Sequence, residues 1–145
     1  METSESMSLA TNIRAQLRRD EGDRERPYRD SVGVLTIGVG HNLERGLSQA
    51  IRDAIFEEDL AEARRVCGRL IPRWLALSEP RQGAFLNMAF NLGEDRLSKF
   101  KRMLEAVARD DWDRVAEEML ASHWAQQVGD RAIRLARQMR NDTWE

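Results

Sequence analysis

The chain has 145 residues, of which 41% are hydrophobic and 33% charged, and its formal net charge is −2. A chain of this length fits a single folded domain that buries about two-thirds of its unfolded surface. The composition is that of a soluble globular protein rather than a disordered one. The nearly balanced charge disfavours a dedicated nucleic-acid binder, which normally carries a basic excess.

The chain has too few cysteines and histidines to form a disulfide or a Cys/His zinc site. Cys67 is the one cysteine, and His41 and His123 are the two histidines, so neither an internal disulfide nor a Cys/His zinc pattern is possible. We expect Cys67 to be a small buried filler, and we expect neither a metal nor a cofactor. The polar start and the lack of an apolar run of about 18–20 residues predict neither an export signal nor a membrane-inserted segment.

The N-terminal region has helical spacing. Apolar residues occupy every fourth position of 9–17, which predicts a helix from about residue 8 after a flexible start at 1–7. Gly22 is a typical residue just beyond a helix C terminus. Glu21 is therefore predicted to be at the end of this helix.

The following stretch, residues 26–43, has a different amino-acid composition. β-Branched and aromatic residues alternate with turn residues, and glycines recur at Gly33, Gly38 and Gly40. This pattern predicts a small antiparallel sheet with tight turns, and it is the strand-like region of the chain.

The rest of the sequence is helical in character. Ser48 opens a long apolar stripe that Pro72 ends, and the Ser-Glu-Pro run at 78–80 opens a second long helix that Gly93 closes. Shorter helices are predicted at 95–109, 111–121 and 130–140.

These elements predict an α+β fold that is mostly helical. A single domain over 8–145 would contain a β-containing lobe at about 22–47 and an all-helical lobe at about 72–145. The N-terminal helix would belong to the helical lobe, and a long interlobe helix at about 48–71 would join the two lobes.

Two carboxylates of this sequence are candidates for catalysis. Glu21 ends a helix and Asp30 lies at the start of the sheet, so the two side chains can face each other from different elements. Hydrolysis of a glycosidic bond needs such a pair, one as the acid for the leaving oxygen and one on the other side of the sugar. The partial negative charge of a helix C terminus favours the protonated form of Glu21, as a general acid requires. The hydroxyl of Thr36 can position a water near Asp30.

Taken one at a time, these residues also have structural explanations. A Glu before Gly is commonly a solvated surface acid. Asp30 can be a turn aspartate that accepts backbone hydrogen bonds, and Gly38 and Gly40 can be simple bends. Only the joint spacing of these residues favours catalysis.

That spacing resembles the T-even-type phage lysozymes of glycoside hydrolase family 24. The resemblance rests on Glu21-Gly22, on Asp30 nine residues after the glutamate, and on Thr-Ile-Gly-Val-Gly-His at 36–41. It continues through Asn-Met-Ala-Phe-Asn-Leu-Gly at 87–93, and then through a last set of residues: Trp112, Trp124, Arg131, Thr143 and Trp144.

The resemblance implies a role for each matching residue. Glu21 would be the general acid, Asp30 the carboxylate that activates water or stabilises the oxocarbenium-like state, and Thr36 the residue that orients the water. The remaining positions would contact substrate or support the site. Those implied to bind substrate are Phe90, Asn91 and Asn42, and those implied to support the site are Arg131 near the glutamate, His41 paired with Asp59, Gly38 and Gly40.

The activity implied is that of an endolysin for host cell lysis. It would hydrolyse the β-1,4 bond between N-acetylmuramic acid and N-acetylglucosamine in bacterial peptidoglycan. The partners implied are peptidoglycan and a holin-type pore, with no nucleic acid, and a monomer is expected. The protein would accumulate in the host cytoplasm and reach the periplasmic wall after the membrane is permeabilised. Because nothing local forces Glu21 and Asp30 together and Thr36 can hold a water between them, an inverting mechanism is expected.

Three alternatives remain open from the sequence. A lytic transglycosylase uses one glutamate and leaves an anhydro sugar. The presence of Asp30 and Thr36 at the lysozyme spacing argues against it, because a transglycosylase has no need to place a water. A catalytically inactive wall-binding module is the second alternative. A helical nucleic-acid-binding domain that uses the arginines of 131–140 is the third, although such a helix can equally be a solvated amphipathic face.

Overall fold

A computed structural model describes residues 4–145, and it confirms the mostly helical α+β class. The described residues form seven α-helices, two 3-10 turns and one small sheet. In chain order these elements are α1 (Ser4–Glu21), β1 (Arg24–Arg29), β2 (Leu35–Gly38), β3 (His41–Asn42), a 3-10 turn (Leu43–Arg45), α2 (Gln49–Leu70), a 3-10 turn (Trp74–Ala76), α3 (Glu79–Ser98), α4 (Lys101–Ala108), α5 (Trp112–Leu120), α6 (His123–Val128) and α7 (Asp130–Asn141). Of the flexible start expected at 1–7, the first three residues lie outside the described part, and 4–7 belong to α1.

The chain divides into two compact units, one that ends at Arg52 and one that spans Asp53–Glu145. Helix α2 begins in the first unit and continues into the second. The lobe boundaries expected at about 22–47, 48–71 and 72–145 stay predictions.

In the first unit, α1 ends where the sequence predicts. Gly22 has φ +79°, and its N–H donates to the carbonyl of Arg18 at 2.9 Å, which closes the last helical turn. This left-handed conformation is one that glycine adopts without strain. Glu21 is therefore the last helical residue.

The predicted antiparallel sheet is also present, with strand order β1-β2-β3. Tyr28 of β1 lies opposite Thr36 of β2, and Thr36 lies opposite Asn42 of β3. Thr36 is thus in the middle strand, with a neighbouring strand on each side.

The second unit is built around α3, whose buried side chains include Phe85 and Met88. Helices α2, α4, α5 and α7 contribute further buried apolar residues to the same core. Cys67 of α2 is fully buried there, and burial raises the pKa of its thiol to about 12. The thiol is therefore protonated and unreactive at neutral pH, which confirms the expectation of a buried filler.

The helix boundaries after residue 93 differ from the prediction. Gly93 does break the helical geometry, with φ +78° and ψ 173°, but helical hydrogen bonding resumes beyond this kink and α3 reaches Ser98. The single helix expected at 95–109 is wrong, because Phe100 with ψ 55° separates α3 from α4. Helix α6 was not predicted; Ser122 caps it by accepting the N–H of Ala125 at 3.2 Å.

Neither a membrane span nor a metal cluster is found in the part of the chain that the structure describes. No helix in it has the length and apolar character needed to cross a bilayer. No group of three or more His, Cys, Asp or Glu side chains in it is arranged to hold a metal ion.

Candidate active site

Asp30 is held in the turn that joins β1 to β2. Its N–H donates to the carbonyl of Val34 at 2.9 Å, and its carbonyl accepts the N–H of Gly33 at 3.0 Å. Its side-chain Oδ1 accepts the N–H groups of Val32 at 3.0 Å and Val34 at 2.8 Å. Among residues 8–145 the other carboxylate oxygen, Oδ2, has no hydrogen-bond partner. One oxygen of Asp30 thus builds the turn, and the other remains available for chemistry.

Thr36 is held by the backbone of the same residue, Val34, that holds Asp30. The side chain is 3% exposed, and its Oγ1 donates to the carbonyl of Val34 at 2.8 Å. Val34 therefore donates its N–H to Asp30 and accepts the hydroxyl proton of Thr36 with its carbonyl oxygen. We call this pair of hydrogen bonds the Val34 bridge. Sequence reasoning did not find it, because it uses only the backbone of Val34 and almost any residue other than proline could make the same hydrogen bonds.

The side chain of Glu21 lies against the turn between β2 and β3. A Cβ atom placed on Gly40 would be 2.8 Å from Oε2 of Glu21 and 3.0 Å from its Cδ. The carboxyl group therefore packs against Gly40, on the side where any other residue would carry its Cβ. Glu21, Asp30 and Thr36 all belong to the first unit.

His41 and Asn42 follow this turn on β3. His41 is exposed and pairs with Ile37 of β2 in the sheet register. The side-chain oxygen of Asn42 accepts the N–H of Glu44 at 2.9 Å, so it caps the 3-10 turn Leu43–Arg45. Asn42 thus has a structural hydrogen bond, and its predicted contact with substrate stays a prediction.

Phe90 and Asn91, predicted to bind substrate, lie on α3 in the second unit. Phe90 is 43% exposed, and its ring centroid is 5.9 Å from that of Phe56. Phe90 and Asp59 line a groove of about 350 Å³ on this unit. The side-chain oxygen of Asn91 accepts the indole N–H of Trp124 at 2.8 Å, which fixes the orientation of its amide.

Arg131 lies at the start of α7, and its Nε donates to the side-chain oxygen of Asn87 at 2.9 Å. Two further arginines of this helix have acidic partners: Arg137 pairs with Glu145 at 2.7 Å, and Arg140 pairs with Asp113 at 3.2 Å. Intramolecular partners of this kind disfavour the interpretation of α7 as an open basic face for nucleic acid.

The candidate site residues are therefore divided between the two units. Two interactions implied by the resemblance, His41 with Asp59 and Glu21 with Arg131, join residues of different units, and both stay predictions. Within the first unit the structure shows two separate contacts: Asp30 and Thr36 share the backbone of Val34, and Glu21 lies against Gly40.

Comparison with known proteins gives a consistent picture. The family model described as phage lysozyme matches residues 18–141. The pre-baseplate central spike protein Gp5 of Enterobacteria phage T4 is 32% identical over 90% of this chain, although the chain spans only 27% of that protein. Probable T4-type lysozyme 1 of Dictyostelium discoideum is 26% identical, with 88% of this chain and 92% of that protein covered.

The endolysin of Salmonella phage P22 is 28% identical over 61% of this chain and 65% of that protein. The family model covers Glu21, Asp30 and Thr36 together with most of the second unit. This chain belongs to the phage lysozyme family, and its class is that of the lysozyme-type glycosidases.

Proposed function

We propose that this protein is an endolysin that hydrolyses the β-1,4 bond between N-acetylmuramic acid and N-acetylglucosamine in peptidoglycan. Glu21 is the general acid, Asp30 the general base and Thr36 the residue that orients the attacking water. The observation that carries this proposal is the Val34 bridge, because it holds a carboxylate and a buried hydroxyl in fixed positions on the backbone of one residue.

The proposed reaction is a single displacement. Glu21 gives its proton to the glycosidic oxygen while the bond to the anomeric carbon breaks. A water attacks that carbon from the opposite side and passes a proton to Oδ2 of Asp30. Two carboxyl groups on opposite sides of the sugar satisfy the requirements of an inverting glycosidase.

The hydrogen bonds of Asp30 and Thr36 fit this division of work. The two N–H groups on Oδ1 fix the plane of the Asp30 carboxylate, and they leave Oδ2 for the water. The hydroxyl proton of Thr36 is used by Val34, so Oγ1 presents lone pairs and can accept a hydrogen bond from that water. A water that donates to both oxygens turns its own lone pair toward the sugar. A lytic transglycosylase needs no such water.

The first test is the substitution Glu21→Gln. Without a proton donor at this position we expect kcat on purified peptidoglycan to fall by about 10²–10⁴-fold. Lysis of chloroform-permeabilised Gram-negative cells should be lost as well. The fold should remain intact, because Glu21 is exposed at a helix end. Glu25→Gln on β1 is the matched control, since it removes an exposed carboxylate from the same unit. Activity of Glu21→Gln within threefold of the parent would exclude Glu21 as the acid.

The second test separates catalysis from stability at Thr36. Thr36→Val keeps the shape but removes the hydroxyl, and we expect kcat to fall at least tenfold while KM changes little. Loss of the bond to Val34 should also lower the free energy of unfolding by about 1 kcal/mol. Thr36→Ser keeps the hydroxyl and should retain most of the activity. If Thr36→Val is only less stable and keeps the parent kcat at a temperature where it is folded, Thr36 has no part in placing the water.

The third test identifies the product. Digested peptidoglycan should carry reducing N-acetylmuramic acid ends, and proton NMR at early times should show the α-anomer first. Inverting enzymes hold their carboxyl groups roughly 6.5–9.5 Å apart, whereas retaining ones hold them about 5–5.5 Å apart. An initial β-anomer or a covalent adduct on Asp30 would contradict inversion and leave the lysozyme assignment in place. Anhydro ends would identify a lytic transglycosylase instead.

The proposed setting is the end of a phage infection. The protein would act as a monomer that accumulates in the host cytoplasm and reaches the periplasmic wall through a holin-type pore. The similarity to the endolysin of Salmonella phage P22 supports this setting. The 32% identity with the central spike protein of phage T4 favours a second setting, in which the same chemistry serves as part of a phage particle.

Expression of the intact chain in a Gram-negative host tests the first setting. We expect the culture to keep growing until chloroform permeabilises the inner membrane, and then to lyse rapidly. The Glu21→Gln variant should not lyse under either condition. Lysis without chloroform would show a route to the wall that needs no separate pore.

A further inference from the structure

Glu21 has a second structural neighbour besides its own helix, which is the backbone of Gly40. A Cβ on Gly40 would meet three atoms of the Glu21 side chain, Oε2 at 2.8 Å, Cδ at 3.0 Å and Cγ at 3.2 Å. Three consecutive atoms within this range mean that the side chain runs along Gly40 rather than touching it with its tip. The Glu21 carboxyl group therefore occupies the space that a side chain at position 40 would fill.

Gly38 is two residues before Gly40 and serves as a comparison. It separates two possible reasons for glycine at position 40: the space needed by the Glu21 side chain and the left-handed backbone conformation. Gly38 and Gly40 both have left-handed φ values, +64° and +66°, which side chains other than glycine adopt only with strain. A Cβ on Gly38 would have nothing within 4 Å. Both positions thus favour glycine for the backbone, but only Gly40 also leaves the space that the Glu21 side chain occupies.

The position of Gly40 is itself fixed by the sheet. The pair Ile37–His41 closes the β2–β3 turn, and Thr36 pairs with Asn42 one residue further along. The Glu21 carboxyl is therefore in contact with a turn whose first strand carries Thr36. Through this contact the position of Glu21 depends on the same β2–β3 hairpin that positions Thr36, although no hydrogen bond joins the two side chains.

We propose that Gly40 is a positioning residue that sets the location of the Glu21 carboxyl group for proton transfer. This inference rests on the proposed function of Glu21. A methyl group at position 40 would push Oε2 away by about 0.6 Å to reach ordinary van der Waals distance, 3.4 Å. Misplacement of a reacting group by about 1 Å can reduce a rate by about 10²-fold.

The experiment compares Gly40→Ala with Gly38→Ala, using soluble uncrosslinked peptidoglycan strands as substrate. Both variants place a methyl group on a residue with left-handed φ, so both should lower Tm by a few degrees. Below that Tm we expect Gly40→Ala to lower kcat by about 10–100-fold with KM within twofold of the parent. Gly38→Ala should lower kcat much less. A purely structural role of Gly40 would affect both variants alike, and equal kcat values would overturn the inference.

A double variant covers the case in which Gly40→Ala does not fold. Trimming the acid in Glu21→Ala/Gly40→Ala removes the atoms that the new methyl group would meet, so folding should be restored to the level of Gly38→Ala. A double variant as unstable as Gly40→Ala would overturn the inference. Failure of the proposed function would give a different result, because Glu21→Gln itself would then remain active.

Discussion

The backbone of Val34 is the constraint on which the candidate site depends. Its N–H holds Oδ1 of Asp30, and its carbonyl accepts the hydroxyl of Thr36. The carbonyl also accepts the N–H of Asp30, which closes the turn between β1 and β2. A change in the backbone conformation of Val34 would therefore disturb both proposed water contacts. A local hydrogen-bond arrangement, rather than the packing of side chains, sets the relation between the proposed base and the hydroxyl.

The two units stabilise their structures in different ways. Thr36 is the one buried residue among 8–52, whereas the second unit contains a continuous apolar core around α3. The geometry of the first unit consequently depends on strand register, turn hydrogen bonds and left-handed glycines. Such features are directional, and they fix angles and distances more tightly than non-directional apolar burial does. This is a suitable basis for a site that has to hold a proton donor and a water in defined places.

Sequence reasoning succeeded where the signal was local. Ser78 was predicted to open α3, and it caps that helix in the structure by accepting the N–H of Arg81. Gly22 ends α1 as expected, because a left-handed residue is needed there. The break at Phe100 and the short helix α6 were missed, since the first has no glycine or proline and the second has only six residues. Asn42 was read as a substrate contact, although its oxygen also caps a 3-10 turn. The sequence alone does not distinguish an asparagine that caps a turn from one that contacts substrate.

Asp30 explains why spacing alone left two interpretations of the same residue. The sequence is compatible with Asp30 as a turn residue and with Asp30 as a catalytic base. In the structure Oδ1 accepts the hydrogen bonds of the turn, and Oδ2 is left for the proposed role as a base. The two tasks support each other, because a carboxylate fixed by two N–H groups loses little freedom when it accepts a proton from water. Thr36 repeats this arrangement, with its proton used for the fold and its lone pairs left for the reaction. In both residues the atoms that build the turn also orient the atoms that would do the chemistry, so the structural role and the proposed catalytic role are compatible.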